Sequence, residues 1–182
     1  MEVLEAIKTR RSIRRYRPDP VDERTLELVL EAARWAPSWA NSQCCRFIVV
    51  RDDSIKAELA ATLLGDNPAD VAIATAPIVI VACARLGVSG YYRGELATDK
   101  GDWFMFDVAL AMQNLTLTAH SLGLATVHVG LFDVKRAEAI LGVPPGFCVV
   151  EMMPLGYPDQ QRRPRPRKEL SEIVFHDRFG MM

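Results

Sequence analysis

Five arginines stand within the eight residues Arg10-Arg11-Ser12-Ile13-Arg14-Arg15-Tyr16-Arg17. The whole chain carries a formal net charge of only -1, so this cluster is local and not part of a general basic character. Guanidinium groups grip phosphate oxygens as two-pronged forks, and the Ser12 hydroxyl can add one more hydrogen bond. Val3, Leu4 and Ile7 have the spacing of a short helix, which puts the cluster at a helix end. Taken alone, the cluster admits two readings: a phosphate site, or a solvated basic loop or nucleic-acid arm. A second basic run, Arg162, Arg163, Arg165, Arg167 and Lys168, is broken by Pro164 and Pro166.

The loop Ala36-Pro37-Ser38-Trp39-Ala40-Asn41-Ser42-Gln43 offers another chemistry. Hydroxyl and amide side chains supply both donors and acceptors, which suits reading the edge of a heteroaromatic ring. Turn formation and helix termination account for the same residues equally simply. Other chemistries find no motif. Neither G-x-G-x-x-G nor G-x-x-x-x-G-K-[ST] occurs, and nothing resembles G-x-S-x-G or H-E-x-x-H. His120, His128 and His176 lack metal-ligand spacing, so no metal is expected. Cys44, Cys45, Cys83 and Cys148 contain no CxxC pair, and a bridge between neighbours is strained. They read as small buried thiols of a reducing compartment.

A chain of 182 residues, 49% hydrophobic and 25% charged, fits one domain over residues 1–182 that folds without disulfides or metals. Balanced charge weighs against a nucleic-acid partner. Met1-Glu2-Val3-Leu4-Glu5 does not open as a signal peptide does, and the apolar stretch Ala76–Ala84 falls short of the ~20 residues that span a bilayer. The expectation is a cytoplasmic protein without membrane or nucleic-acid partners.

These groups must be positioned by helices and strands. Asp22 is placed to cap a helix with the stripe Leu26, Val29, Leu30 and Ala33, which Pro37 ends. Phe47–Val50 and Pro77–Ala84 read as strands. The unbroken apolar run of the second indicates burial on both faces, and the periodicity leans toward a parallel sheet. Ile55–Leu64 reads as a helix that stops at Gly65. Trp103–Leu122 is the longest helical stretch, apolar nearly all round and therefore central, with Gly123 at its C-terminal cap. Thr126–Gly130 and Phe147–Met153 read as strands, separated by a helix from Asp133 to Leu141. Residues 85–102 form the longest irregular segment.

The order of these features resembles the nitroreductase family of flavin mononucleotide (FMN)-dependent oxidoreductases. Four stretches carry the resemblance: Arg10–Arg14; Ala36–Gln43 with the following strand; Asp107–Gly130; and Leu155-Gly156-Tyr157-Pro158 with the basic run and Leu170–Val174. The chain departs from the family where Cys44-Cys45 replaces a Pro-Trp pair. It also departs in lacking the extra covering helices of larger members, which leaves residues 85–102 as the local lid.

The resemblance implies an α+β three-layer α/β/α sandwich with a mainly antiparallel sheet, as an intertwined homodimer with FMN at the subunit interface. It implies that Arg10, Arg11, Ser12, Arg165 and Arg167 hold the FMN phosphate side, with Arg15, Arg17, Arg162 and Arg163 solvated. Arg14 falls beside the flavin N1/O2 edge as a tuner. Pro37, Ser38 and Asn41 come to the flavin from the neighbouring subunit, and Gly130 and Leu131 approach N5 and O4. No protein side chain is expected to be catalytic. NADH or NADPH gives hydride to N5 in a ping-pong cycle, and a nitroaromatic, quinone or similar small molecule takes the electrons. Reductive dehalogenation, flavin fragmentation and a non-enzymatic flavin-binding module are the alternatives. Tyr91, Tyr92, Trp103 and Phe104 either line the substrate side or pack internally. The apolar tail of Ile173, Val174, Phe175 and Phe179 either exchanges onto a partner or packs on its own domain.

Overall fold

The computed structural model describes residues 1–180, so the last two residues of the expected 1–182 domain lie outside the described residues. In chain order the elements are α1 (Val3–Thr9), α2 (Glu23–Arg34), β1 (Cys45–Val50), α3 (Asp53–Ala60), α4 (Asp70–Thr75), β2 (Ile78–Arg85) and β3 (Tyr91–Tyr92). They continue with β4 (Glu95–Leu96), α5 (Phe104–Ser121), β5 (Ala125–Thr126), α6 (Val134–Leu141), β6 (Phe147–Gly156) and α7 (Leu170–Ile173).

Four strands form a sheet in the order β1-β2-β6-β5, and every strand pairing in it is antiparallel. The parallel lean of the periodicity is corrected here. The β2 strand is buried on both faces, as its apolar run indicates, but because helices cover both faces and not because its neighbours run parallel. Side chains alternate across a strand. Ile78, Ile80, Ala82 and Ala84 share a core with Val29 of α2 and Met112 and Leu115 of α5. Val79, Val81 and Cys83 share another with Leu59 of α3, Ile73 of α4 and Ala137 of α6.

Local chemistry sets the helix ends. The Asp22 carboxylate accepts from the Thr25 N–H at 2.9 Å, and Asp133 caps α6 through the Arg136 N–H at 3.0 Å. The α3 helix stops at Ala60, short of Gly65, and Leu63 beyond it bridges Phe132. The six-residue α4 has no counterpart in the sequence reading, since it is too short to display a period. The expected strand Thr126–Gly130 reduces to Ala125–Thr126 plus one bridge from Val129 to Met152. In this register Pro154 falls opposite Val127, and it has no N–H to give the ladder.

The α5 helix is central on one side only. Val108, Met112, Leu115 and Ala119 are buried, whereas Met105 and Phe106 are 57% and 54% exposed. Residues 85–102 contain the short β3–β4 hairpin. Among the described residues no helix is long and apolar enough to cross a membrane.

Candidate functional site

The arginine segment leaves α1 and is pinned from beneath. The Ile13 N–H donates to the Thr126 carbonyl at 3.0 Å, and Ser12 bridges Thr126 in parallel. Ile13 and Tyr16 are buried with Ala72, Ala76 and Ala125. The Tyr16 hydroxyl donates to the Ile13 carbonyl at 2.5 Å, and burial pushes this phenol well above its ordinary range. With Ile13 turned inward, Ser12 and Arg14 turn outward.

The chain after β6 returns beside this segment. The Arg17 N–H donates to the Tyr157 carbonyl and the Asp159 N–H to the Arg15 carbonyl, both at 2.9 Å. Gln160, its amide oriented by its hydrogen bonds, accepts from the Arg14 and Arg15 N–H groups. Gly156 is needed for the approach, because a Cβ there would lie 2.7 Å from Pro77 Cδ. This pairing delivers the second basic run to the first.

The two runs enclose a cleft of about 550 Å³. Lys8, Arg10, Arg11, Arg14, Arg162, Arg163, Arg165 and Arg167 line it with Ser12, and among the described residues no carboxylate does. Arg162 and Arg163, expected to be solvated, are exposed and yet belong to this cleft. Among the described residues none of the eight cations forms a salt bridge. Burial, and then the charges of Arg11 and Arg167, hold the Arg10 guanidinium below its usual pKa. Among the described residues the buried Nε atoms of Arg11 and Arg14 find no hydrogen-bond partner. Such orphaned donors are costly unless a ligand satisfies them. At the margin, His120 lies 2.8 Å from the Thr9 hydroxyl, and burial, Arg10 and Arg11 hold its imidazole below the ordinary value. Arg15 and Arg17 do not line the cleft, and Arg17 pairs with Asp19 at 3.1 Å.

The polar loop is held differently. Ala40, Asn41 and Gln43 adopt left-handed φ values of 43°, 56° and 47°. Such a conformation costs a non-glycine residue about 1 kcal/mol or more. One buried carboxylate gathers the loop. Asp107 of α5 accepts from the Trp39 N–H at 2.9 Å, the Ser42 hydroxyl at 2.9 Å, the Ser89 hydroxyl at 2.7 Å and the Cys44 thiol at 3.4 Å. The sequence reading left Asp107 at the edge of a motif without a role; its one signal was that it is the single carboxylate of the long helix α5. The adjacent Cys45 thiol, and then burial, raise the Cys44 pKa, and the Cys44 thiol lowers that of Cys45. Cys45 and Cys148 are only half-buried, a correction to the expected buried thiols, and all four cysteines are free.

Pro37 and Ser38 line a second cleft of about 900 Å³ with Gln43, Cys45 and Asp107. Asn41 is exposed beside it. Gly130 and Leu131 are exposed elsewhere, at the end of the Val129 bridge. Gly130 is not left-handed, and a Cβ there would meet nothing within 4 Å, so no contact within the chain demands glycine. One chain therefore unites Arg10, Arg11, Ser12, Arg14, Arg165 and Arg167 but leaves the other expected site residues outside their cleft. Among the described residues no cluster could hold a metal ion.

A basic cleft, carboxylate-free among the described residues, stands beside an antiparallel sheet in an α+β fold, and its charge suits an anion. The model of the "Nitroreductase family" matches residues 7–157. The chain is 32% identical to an "NADH dehydrogenase" of Thermus thermophilus, covering 96% of this chain and 95% of that protein. It is 29% identical to "FMN reductase [NAD(P)H]" of Bacillus subtilis, covering 91% and 70%. It is 30% identical to "5,6-dimethylbenzimidazole synthase" of Rhodospirillum rubrum, covering 93% and 86%. A solved nitroreductase family protein of Clostridium novyi superposes with a TM-score of 0.78 at 30% identity, covering 100% and 96%. The chain belongs to the nitroreductase family.

Proposed function

We propose that the protein is an FMN-dependent oxidoreductase that takes hydride from NADH or NADPH and passes the electrons to a nitroaromatic, quinone or similar acceptor. One observation carries the cofactor reading: two basic runs from opposite ends of the chain meet in a cleft that, among the described residues, has no carboxylate and two orphaned guanidinium Nε atoms. FMN offers acceptors for both, its phosphate oxygens for Arg11 and the pyrimidine edge of its ring for Arg14. Arg10, Ser12, Arg165 and Arg167 hold it, with Arg11 beside them. Arg14 is assigned to the pyrimidine edge of the ring, where a fixed cation favours reduction. When bound, the flavin supplies the hydride chemistry, so no protein nucleophile is required. The names of the Bacillus and Thermus relatives support the cofactor and the donor.

The active form in this reading is a homodimer of three-layer sandwiches. Ser38, Asn41, Gly130 and Leu131 stand outside the basic cleft of their own chain, and a second copy brings the loop to it. The exposed Met105 and Phe106 of α5, and Leu170, Ile173 and Phe179 of the tail, are apolar surface for that partner. The Rhodospirillum relative motivates a second reading, flavin fragmentation. Purified protein assayed with NADH and NADPH against nitroaromatics, quinones and free reduced flavin under oxygen separates them. Turnover of the acceptors supports the first reading, and consumption of flavin without acceptor turnover replaces it with the second.

A further inference from the structure

Asp107 is 1% exposed on the core side of α5, is that helix's one carboxylate, and among the described residues has no cation among its partners. A buried carboxylate in such a place is costly unless its lone pairs are filled. They are filled by four donors, and three of them, the Trp39 N–H and the side chains of Ser42 and Cys44, come from one short segment. The fourth, Ser89, is itself fully buried and ties the carboxylate to the chain after β2. The segment so gathered contains three left-handed non-glycine residues, a conformation it would leave without an anchor. Inside it the Gln43 N–H donates to the Ser38 hydroxyl at 3.0 Å, fixing the side chain that faces the larger cleft.

We propose that Asp107 is the positioning residue for the Ser38–Gln43 loop, presetting it in the strained conformation in which Ser38 and Asn41 meet the flavin. The proposal rests on the FMN reading for what the loop touches, but the anchoring itself does not need a ligand. The carboxylate acts through the loop and touches no reacting atom. Preorganisation of this kind appears as affinity, because the ordering cost is met before binding.

The test has a flavin-free arm and a flavin arm. In flavin-free protein, Asp107→Ala speeds amide hydrogen exchange of residues 39–43 by about tenfold or more while β2 keeps its protection. Ser42→Ala, which removes a single bond, gives a smaller change in the same amides and serves if Asp107→Ala does not fold. Asp107→Asn recovers most of the protection, since its amide oxygen can accept from Trp39 and the serine hydroxyls can turn to accept. FMN titration of the same variants follows the same order, with about a tenfold loss for Asp107→Ala. Unchanged loop exchange in both alanine variants, or a loss spread evenly over β2, overturns the anchor. Loop exchange that speeds while FMN affinity stays constant overturns the assignment of the loop to the flavin. A wild-type chain that takes no FMN overturns the cofactor reading, and the exchange arm still decides the anchor.

Discussion

Replacing Arg10 or Arg167 by alanine should weaken FMN and spare riboflavin, which lacks the phosphate. The two guanidinium groups come from opposite ends of the chain; burial, then the charge of Arg11 and then that of Arg167, holds the Arg10 pKa below its usual value. A hydrogen bond to a charged group contributes about 1.5–3 kcal/mol when its partner is removed. That converts to roughly a 10- to 150-fold loss of affinity. Arg10 is half-buried and Arg167 exposed, and six other cations remain in the cleft. The expected loss for each single replacement is therefore near the lower end, about tenfold. In the proposed clamp both residues serve one phosphate, so the double replacement should depart from additivity by at least about 0.5 kcal/mol. Affinity should fall as salt rises, and each replacement should flatten that dependence. Flavin fluorescence titrations with FMN and riboflavin, at two ionic strengths, measure all of this. Equal losses for both ligands, or no loss for either, would refute the split phosphate clamp.

Arg14→Ala should slow flavin reduction by NAD(P)H more than it weakens FMN binding, read by stopped-flow absorbance beside the titration; an unchanged reduction rate removes Arg14 from the ring edge. Phosphate binding should raise the titration midpoint of His120, since Arg10 and Arg11 help burial to depress it, and an NMR titration of the imidazole reads the shift. With its folded pKa below the ordinary 6.5, His120 takes up a proton later than it does in the unfolded chain. Its contribution to stability is therefore present above about pH 6.5 and lost as pH falls through that value toward the folded pKa. Melting curves of wild type and His120→Gln should diverge in slope there. Phe106→Glu, on the exposed side of α5, should shift sedimentation toward monomer and lower flavin affinity together.

The sequence made the basic cleft legible because its parts are unusual residue types in short runs. Arg10–Arg14 and Arg162–Arg167 stand out against a nearly neutral chain, although their meeting depends on the pairing of residues 14–17 with 157–160, which no local pattern announces. Capped helices were legible for the same local reason, as Asp22 and Asp133 illustrate. Strand direction was not, because an apolar run such as Ile78–Ala84 records burial on two faces and is silent on the sense of its neighbours. The short α4 and the broken strand at Val127 escaped for want of length and through the missing N–H of Pro154. Asp107 escaped because its partners at positions 39, 42, 44 and 89 are distant in sequence.

The central claim is that this chain holds FMN and reduces it with a nicotinamide donor. Anaerobic absorbance of the purified protein, as isolated or after reconstitution with FMN, tests it in one cuvette. The account predicts a yellow protein with flavin absorbance that bleaches on addition of NADH or NADPH and returns with an acceptor. A colourless protein that cannot be reconstituted with FMN, or a bound flavin that neither donor bleaches, would contradict it.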